Sequence, residues 1–121
     1  MRATRALTRA VAAARPDVVV RHSFLDLSYP RTAPVLAGLA AEGYRDVVAV
    51  PLLLTAAYHS RVDVPAVLAG APPSLRIRRA EVLGPDPRLV DGLMRRLGPT
   101  GFDALVLAAA GSSDPAAVAT V

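Results

Sequence analysis

The feature that most constrains the fold of this chain is a repeated switch between two kinds of apolar pattern. Segments with apolar residues at every third or fourth position predict amphipathic helices, whereas short continuous apolar runs predict strands buried in a parallel sheet. The strands are predicted over residues 18–24, 47–54, 75–82 and 102–109. Because helical segments separate these runs, we expect an α/β domain whose four strands form a parallel sheet.

Helices are predicted over residues 2–14, 31–42, 64–69 and 87–97. The first helix places Leu7 and Val11 on one face and turns its arginines away, and Pro16 stops it. Asp86 is positioned to cap the last helix, with Pro87 in its first turn and Gly98 at its end. The chain therefore begins with a helix, although a domain of repeated βα units usually begins with a strand.

Composition narrows the function classes further. The 121 residues are enough for one core and no apolar run reaches membrane-spanning length, so we expect one soluble, cytoplasmic domain without a membrane partner. The absence of cysteine excludes a disulfide, a thiolate metal site and a cysteine nucleophile. The net charge is +4, but the arginines are scattered and aromatic residues are few, so we do not expect a nucleic-acid partner.

The most informative stretch is residues 51–65, because it sets His59 in the loop just beyond the C-terminal end of the strand 47–54. Open α/β sheets bind their ligands at this edge. A neutral imidazole nitrogen binds divalent transition metals, and imidazole also accepts protons near neutral pH. Asp26 follows the strand 18–24 at the same predicted edge, so it is a candidate for escorting a metal or relaying a proton. The ordinary alternatives are a loop histidine without a role and a solvent-facing aspartate.

At these residues the sequence resembles the class II metal chelatases of the sirohydrochlorin type, which insert cobalt or iron into a tetrapyrrole. The segments that carry the resemblance are Phe24-Leu25-Asp26-Leu27 with Pro30, Val50 through Pro65 with His59, Arg61 and Asp63, and Leu83 through Val90. The resemblance implies a three-layer chelatase-like fold. It also implies insertion of cobalt, iron or nickel into sirohydrochlorin or a related tetrapyrrole, for cobalamin or siroheme synthesis. The metal would be a co-substrate, and no organic cofactor is implied.

The resemblance also suggests roles for individual residues. His59 would hold the metal and accept pyrrole protons with help from Asp26, which makes both candidate catalytic residues. Arg61 would grip a substrate carboxylate, a task that suits the bidentate guanidinium, and its ordinary alternative is a solvated arginine. Tyr58 would form a wall against the flat macrocycle.

Other polar residues have simpler explanations. Gly111 and Ser112 could cradle a substrate anion at a helix N-terminus, although a tight turn is the simpler interpretation. Asp63 is best explained as the cap of the helix that contains Pro65. His22 lies inside a predicted strand, so we expect it to be a structural histidine.

The two ends of the chain depart from the family pattern. The family's first strand ends in a His-Gly-Ser turn that supplies a second histidine, and no residue of this chain occupies that place. Residues 107–115 resemble a degenerate copy of that strand and turn, with Ala110 in the histidine position. We therefore expect residues 1–121 to form a single chelatase-like domain. Residues 1–98 would be the bulk of one family domain without its first strand, and residues 102–121 the beginning of a second copy.

An empty position in the middle of a parallel sheet would leave backbone groups unpaired, at about 1 to 3 kcal/mol for each buried group. We therefore expect the strand 102–109 to fill that position between the strands 18–24 and 47–54, either within the chain or by exchange between two chains. Exchange in a homodimer is the preferred alternative, because few residues connect Leu97 to Phe102. A second hypothesis for the function is a catalytically impaired domain that binds tetrapyrrole, metal or a partner chain without turnover.

Overall fold

The structure, a computed structural model of the chain, describes residues 2–54, 59–99 and 101–108 together with Pro115 and Ala119, and for His59 and Ser60 it describes the backbone only. Its helices are α1 (Arg2–Ala14), α2 (Thr32–Ala41), α3 (Val64–Ala69) and α4 (Pro87–Leu97), and its strands are β1 (Asp46–Ala49) and β2 (Arg76–Arg79). The mixed α/β class and the four predicted helices are confirmed. The helices could be predicted because helical periodicity is a local property of the sequence. None of the described helices is long and apolar enough to cross a membrane.

The two strands form a small parallel sheet. The Arg76 amide donates a hydrogen bond to the Arg45 carbonyl at 2.7 Å, and the Ala80 amide donates to the Ala49 carbonyl at 2.9 Å. Both partners advance in the same direction along the chain, so the strands run parallel, and α3 lies in the crossover between them. Two of the four predicted strands are thus present in shortened form.

The prediction of four strands is not confirmed in the described part of the chain. Residues 18–23 belong to no strand, and Phe24 forms only an isolated bridge with Arg31. The described residues 102–108 also belong to no strand, and Val106 is 87% exposed. An apolar run indicates that a segment is suited to burial, but a strand also needs a neighbouring backbone at hydrogen-bonding distance. The expected placement of this last segment within the chain's own sheet is therefore not observed in its described residues.

The chain divides into two compact units, one formed by Met1–Val48 with Val64–Arg78 and the other by Ala49–Asp63 with Arg79–Val121. The buried aliphatic side chains among the described residues are Leu36, Leu39, Val64 and Leu75, and all four belong to the first unit. Leu36 and Leu39 lie three positions apart on one face of α2, which contacts α3. The first unit therefore holds the described apolar core, whereas α4 in the second unit has no buried residue.

Helix α4 begins and ends where the sequence predicts. Asp86 has extended backbone angles, and its carboxylate accepts a hydrogen bond from the Arg88 amide at 2.9 Å. The Arg88 guanidinium donates to both carboxylate oxygens, at 2.9 and 2.6 Å, and these contacts with the amide bond lower the pKa of Asp86 to about 2. Pro87 occupies the first turn, and Gly98, with a φ of 71°, follows the last. The cap is therefore an ionised carboxylate except in strong acid.

Acid is expected to weaken this cap. Because the folded pKa lies below the ordinary value of 3.8, the contribution of Asp86 to stability is present above pH 3.8 and is lost as the pH falls to about 2. Asp86→Asn still offers a capping oxygen but cannot titrate, so it should flatten the loss of unfolding free energy across this range. Chemical denaturation followed by circular dichroism at each pH measures the slope.

Asp91→Asn, in the middle of the same helix, is the matched control for this prediction. Arg15 also lowers the pKa of Asp17 to about 2, so part of the loss of unfolding free energy in acid should remain in both variants. Equal slopes for Asp86→Asn, Asp91→Asn and the unmodified chain would contradict the role given to the cap.

Candidate functional site

The segment that carries His59 starts at the end of β1. Beyond β1 the chain stays beside the segment that follows β2, because the Leu83 amide donates to the Leu53 carbonyl at 2.8 Å. Residues 55–58, which include the predicted ring wall Tyr58, lie outside the described residues. The chain then forms a π-helical turn, His59–Asp63, that leads directly into α3. Such turns are rare and occur often at functional sites, so this turn is the strongest candidate in the described chain.

Arg61 lies in the same π-helical turn, two residues after His59. Arg61 is exposed to solvent. Asp63 is half-buried and directly precedes α3, whose first residue, Val64, is buried. The predicted metal-binding histidine and the predicted carboxylate-binding arginine therefore belong to one five-residue turn.

Asp26 lies in a loop, residues 24–31, that is closed at its base by the isolated bridge between Phe24 and Arg31. One Asp26 carboxylate oxygen accepts hydrogen bonds from Arg31 Nη1 at 2.6 Å and from the Leu27 amide at 2.8 Å. The guanidinium contributes most, followed by the backbone amide, and together they lower the pKa of Asp26 below its ordinary value. Asp26 is therefore an anion at neutral pH and a weaker base than an ordinary carboxylate.

The Arg31 guanidinium organises the loop around Asp26. It also donates to the Leu25 carbonyl at 3.1 Å, and its central carbon lies 5.4 Å from the centroid of the Tyr29 ring. The Asp26 side chain is 75% exposed, so the ion pair contributes little to stability and mainly orients the carboxylate.

Arg31 was not among the predicted site residues. Its partner, Asp26, lies five positions away across a loop. Sequence spacing predicts side-chain contacts only within helices and strands, so this pair could not be inferred from its spacing. The opposite charge of Asp26 on the other side of Pro30 was the one signal in the sequence that could have pointed to the pair.

His22 occupies the surroundings expected of a structural histidine. It is half-buried, and its ring meets the Phe24 ring edge-to-face, with the centroids 6.0 Å apart. Edge-to-face contact is a favoured geometry for aromatic pairs, so packing against Phe24 explains the position of His22 without a ligand.

The predicted site residues are only partly within the described chain. Asp26 belongs to the first compact unit, whereas His59 and Arg61 belong to the second. Gly111 and Ser112, like Tyr58, lie outside the described residues. Among the described side chains, no three of His, Asp and Glu are grouped so that they could hold a metal ion.

Known proteins resemble this chain over most of its length. The CbiX family model matches residues 2–100. The sirohydrochlorin ferrochelatase of Priestia megaterium is 32% identical over 101 residues, which cover 77% of this chain and 38% of that protein. The sirohydrochlorin cobaltochelatase of Sulfolobus acidocaldarius is 31% identical over 78 residues, which cover 64% of this chain and 63% of that protein.

A third relative is the sirohydrochlorin cobaltochelatase of Methanosarcina acetivorans, which is 36% identical over 59 residues. The match covers 49% of this chain and 45% of that protein. The chain thus spans less than two thirds of the length of each of these three relatives.

Proposed function

Because the chain belongs to the CbiX family of class II chelatases, we propose that it inserts a divalent metal ion into sirohydrochlorin or a related tetrapyrrole. The names of the three relatives support this substrate, since all are sirohydrochlorin chelatases. The names support iron and cobalt as the metal, and nickel is a further candidate because imidazole binds it as well. The metal is a substrate of the reaction, and the product would serve cobalamin or siroheme synthesis.

The observation that carries the proposal is the position of His59. It opens the π-helical turn that comes after β1 in the chain, and α/β sheets bind their ligands beyond the C-terminal ends of their parallel strands. Insertion exchanges two pyrrole protons for one divalent ion, so the site needs a group that binds the ion reversibly and a group that accepts protons. Imidazole does both near neutral pH. We assign both tasks to His59.

Asp26 is assigned to the escort of the metal. Because Arg31 lowers the pKa of Asp26, the carboxylate stays anionic and attracts a divalent cation. The same shift makes it a weaker proton acceptor, so the escort suits it better than the proton relay.

The remaining roles concern the tetrapyrrole itself. Arg61 would bind a carboxylate of the ring, which its exposure permits. Tyr58 would lie against the macrocycle, and Gly111 with Ser112 would hold a substrate anion.

A titration in two stages tests the proposed function. The chain is first mixed with metal-free sirohydrochlorin, and binding is followed through the ring absorbance. Cobalt(II) is then added without oxygen, and the conversion rate is compared with the rate without protein. Conversion above that rate supports the proposal. Binding in the first stage without faster conversion in the second would instead favour an impaired domain that only retains the tetrapyrrole.

We propose further that two copies of the chain associate. Val106 and Leu107 are adjacent aliphatic residues in the described chain, and they are 87% and 80% exposed. Val106→Glu should weaken self-association by at least about tenfold, because an unpaired carboxylate is unfavourable in an interface. Sedimentation equilibrium measures the change. Leu27→Glu is the control, since Leu27 is equally exposed in the other compact unit, and a chain that stays monomeric at every concentration would contradict the proposal.

A further inference from the structure

Gly84 lies where the structure has no room for a side chain. A Cβ atom added there would fall on the carbonyl oxygen of Leu54, and it would lie 3.0 Å from the Leu54 carbonyl carbon and 3.4 Å from its Cα. All three are backbone atoms, so no change of rotamer can relieve the clash. Gly84 does not have a positive φ, which means that space alone, and not backbone conformation, demands glycine at this position.

This contact continues the backbone pairing beyond the sheet. The Ala80 amide donates to the Ala49 carbonyl at 2.9 Å, and the Leu83 amide donates to the Leu53 carbonyl at 2.8 Å. Gly84 against Leu54 is the next step in the same direction. All of these residues belong to the second compact unit, so the pairing is internal to that unit.

Side-chain burial holds this segment at Pro51, which is buried, and at the half-buried Leu53, but less at its last residue, Leu54. Leu52 and Leu54 are 46% and 63% exposed, so much of their apolar surface stays in contact with water. The hydrogen bond from the Leu83 amide to the Leu53 carbonyl and the close approach of Gly84 to Leu54 therefore help to fix the position of the Leu54 backbone. A substitution that pushes the Leu54 carbonyl away would displace this exposed end of the segment.

Leu54 immediately precedes residues 55–58, and His59 follows them. We propose that Gly84 is a positioning residue for His59: by admitting the Leu54 backbone, it sets the point from which the segment leading to His59 departs. This inference rests on the proposed function of His59 in metal insertion. Gly84 itself touches no substrate, and it acts only through the backbone of Leu54.

Gly84→Ala is the variant that tests the proposal, and Gly92→Ala is its matched control. Gly92 lies within α4 in the same unit, and a Cβ there would meet only the Arg95 side chain at an ordinary 3.9 Å. We expect Gly84→Ala to lower kcat by about tenfold to a hundredfold with a much smaller change in KM for the tetrapyrrole, because a small displacement of a catalytic group has effects of this size. Gly92→Ala should keep both constants.

Assays are run far below the measured Tm of each variant, so that loss of fold is not mistaken for misplacement. A folded Gly84→Ala with the kcat and KM of Gly92→Ala would overturn the inference and leave the proposed function intact. An unmodified chain without turnover would instead count against the proposed function.

A measurement on the unmodified chain decides the matter if Gly84→Ala does not fold. Saturation with metal-free sirohydrochlorin should slow hydrogen exchange at the Leu83 amide by about tenfold, because substrate bound at His59 would stabilise the backbone contacts on which the position of His59 depends. The Arg76 amide, bonded to Arg45 in the first unit, serves as the internal reference. Equal changes at Leu83 and Arg76, or no change at Leu83, would overturn the inference.

Discussion

Replacing His59 by alanine is expected to lower the rate of metal insertion by at least about a hundredfold, the usual contribution of a positioned general base. The same substitution removes the proposed metal ligand, so the rate should fall further than it would on losing a residue that only accepts protons. His59→Gln tests this difference, because an amide oxygen can contact a metal but cannot accept a proton near neutral pH. Initial rates with cobalt(II) and sirohydrochlorin measure both variants.

His22→Ala is the matched control for this experiment, because it removes the only other histidine in the chain. His22 is half-buried against the Phe24 ring, so its loss should affect stability more than activity. Most of the insertion rate should remain at a temperature where the variant is folded. Equal losses of activity from the two histidine substitutions would remove the basis for the assignment of His59.

Replacing Arg61 by alanine is expected to raise KM for the tetrapyrrole by roughly ten- to a hundredfold while kcat changes little. The reason is that a carboxylate held by a guanidinium is bound equally in the ground state and in the transition state, and such a bond contributes about 1.5 to 3 kcal/mol. Steady-state kinetics at a saturating metal concentration separate the two constants.

Two further variants give this prediction its controls. Arg61→Lys keeps the charge but loses the bidentate geometry, so it should restore only part of the affinity. Arg95→Ala removes an exposed arginine from α4 and should leave both constants unchanged. A fall in kcat without a rise in KM for Arg61→Ala would place Arg61 in the chemical step instead.

Local features of the fold were predictable from the sequence. The bounds of α4 follow from Asp86, Pro87 and Gly98, because capping depends on residues within one helical turn of each other. Strand pairing was less predictable. Residues 47–54 and 102–109 are both rich in apolar side chains, yet only the first range contains a paired strand among its described residues. An apolar run does not identify the backbone that will lie beside it.

The same distinction applies to the candidate site. The order of the elements around His59 could be predicted, because β1 before it and α3 after it both overlap the ranges that the sequence indicates. The pairing of Asp26 with Arg31 and the contact of Gly84 with Leu54 could not, because both depend on three-dimensional approach. The first contact lowers the pKa of Asp26, and the second brings Gly84 against the backbone of Leu54, five residues before His59.

The most direct test of metal insertion by this chain counts turnovers. The purified chain is mixed without oxygen with sirohydrochlorin and cobalt(II), both in large excess, and the metallated product is quantified after separation from the protein. If the chain inserts metal, we expect many moles of product per mole of chain and an initial rate proportional to the chain concentration. Product that never exceeds one mole per mole of chain, with a rate no faster than the protein-free reaction, would contradict it.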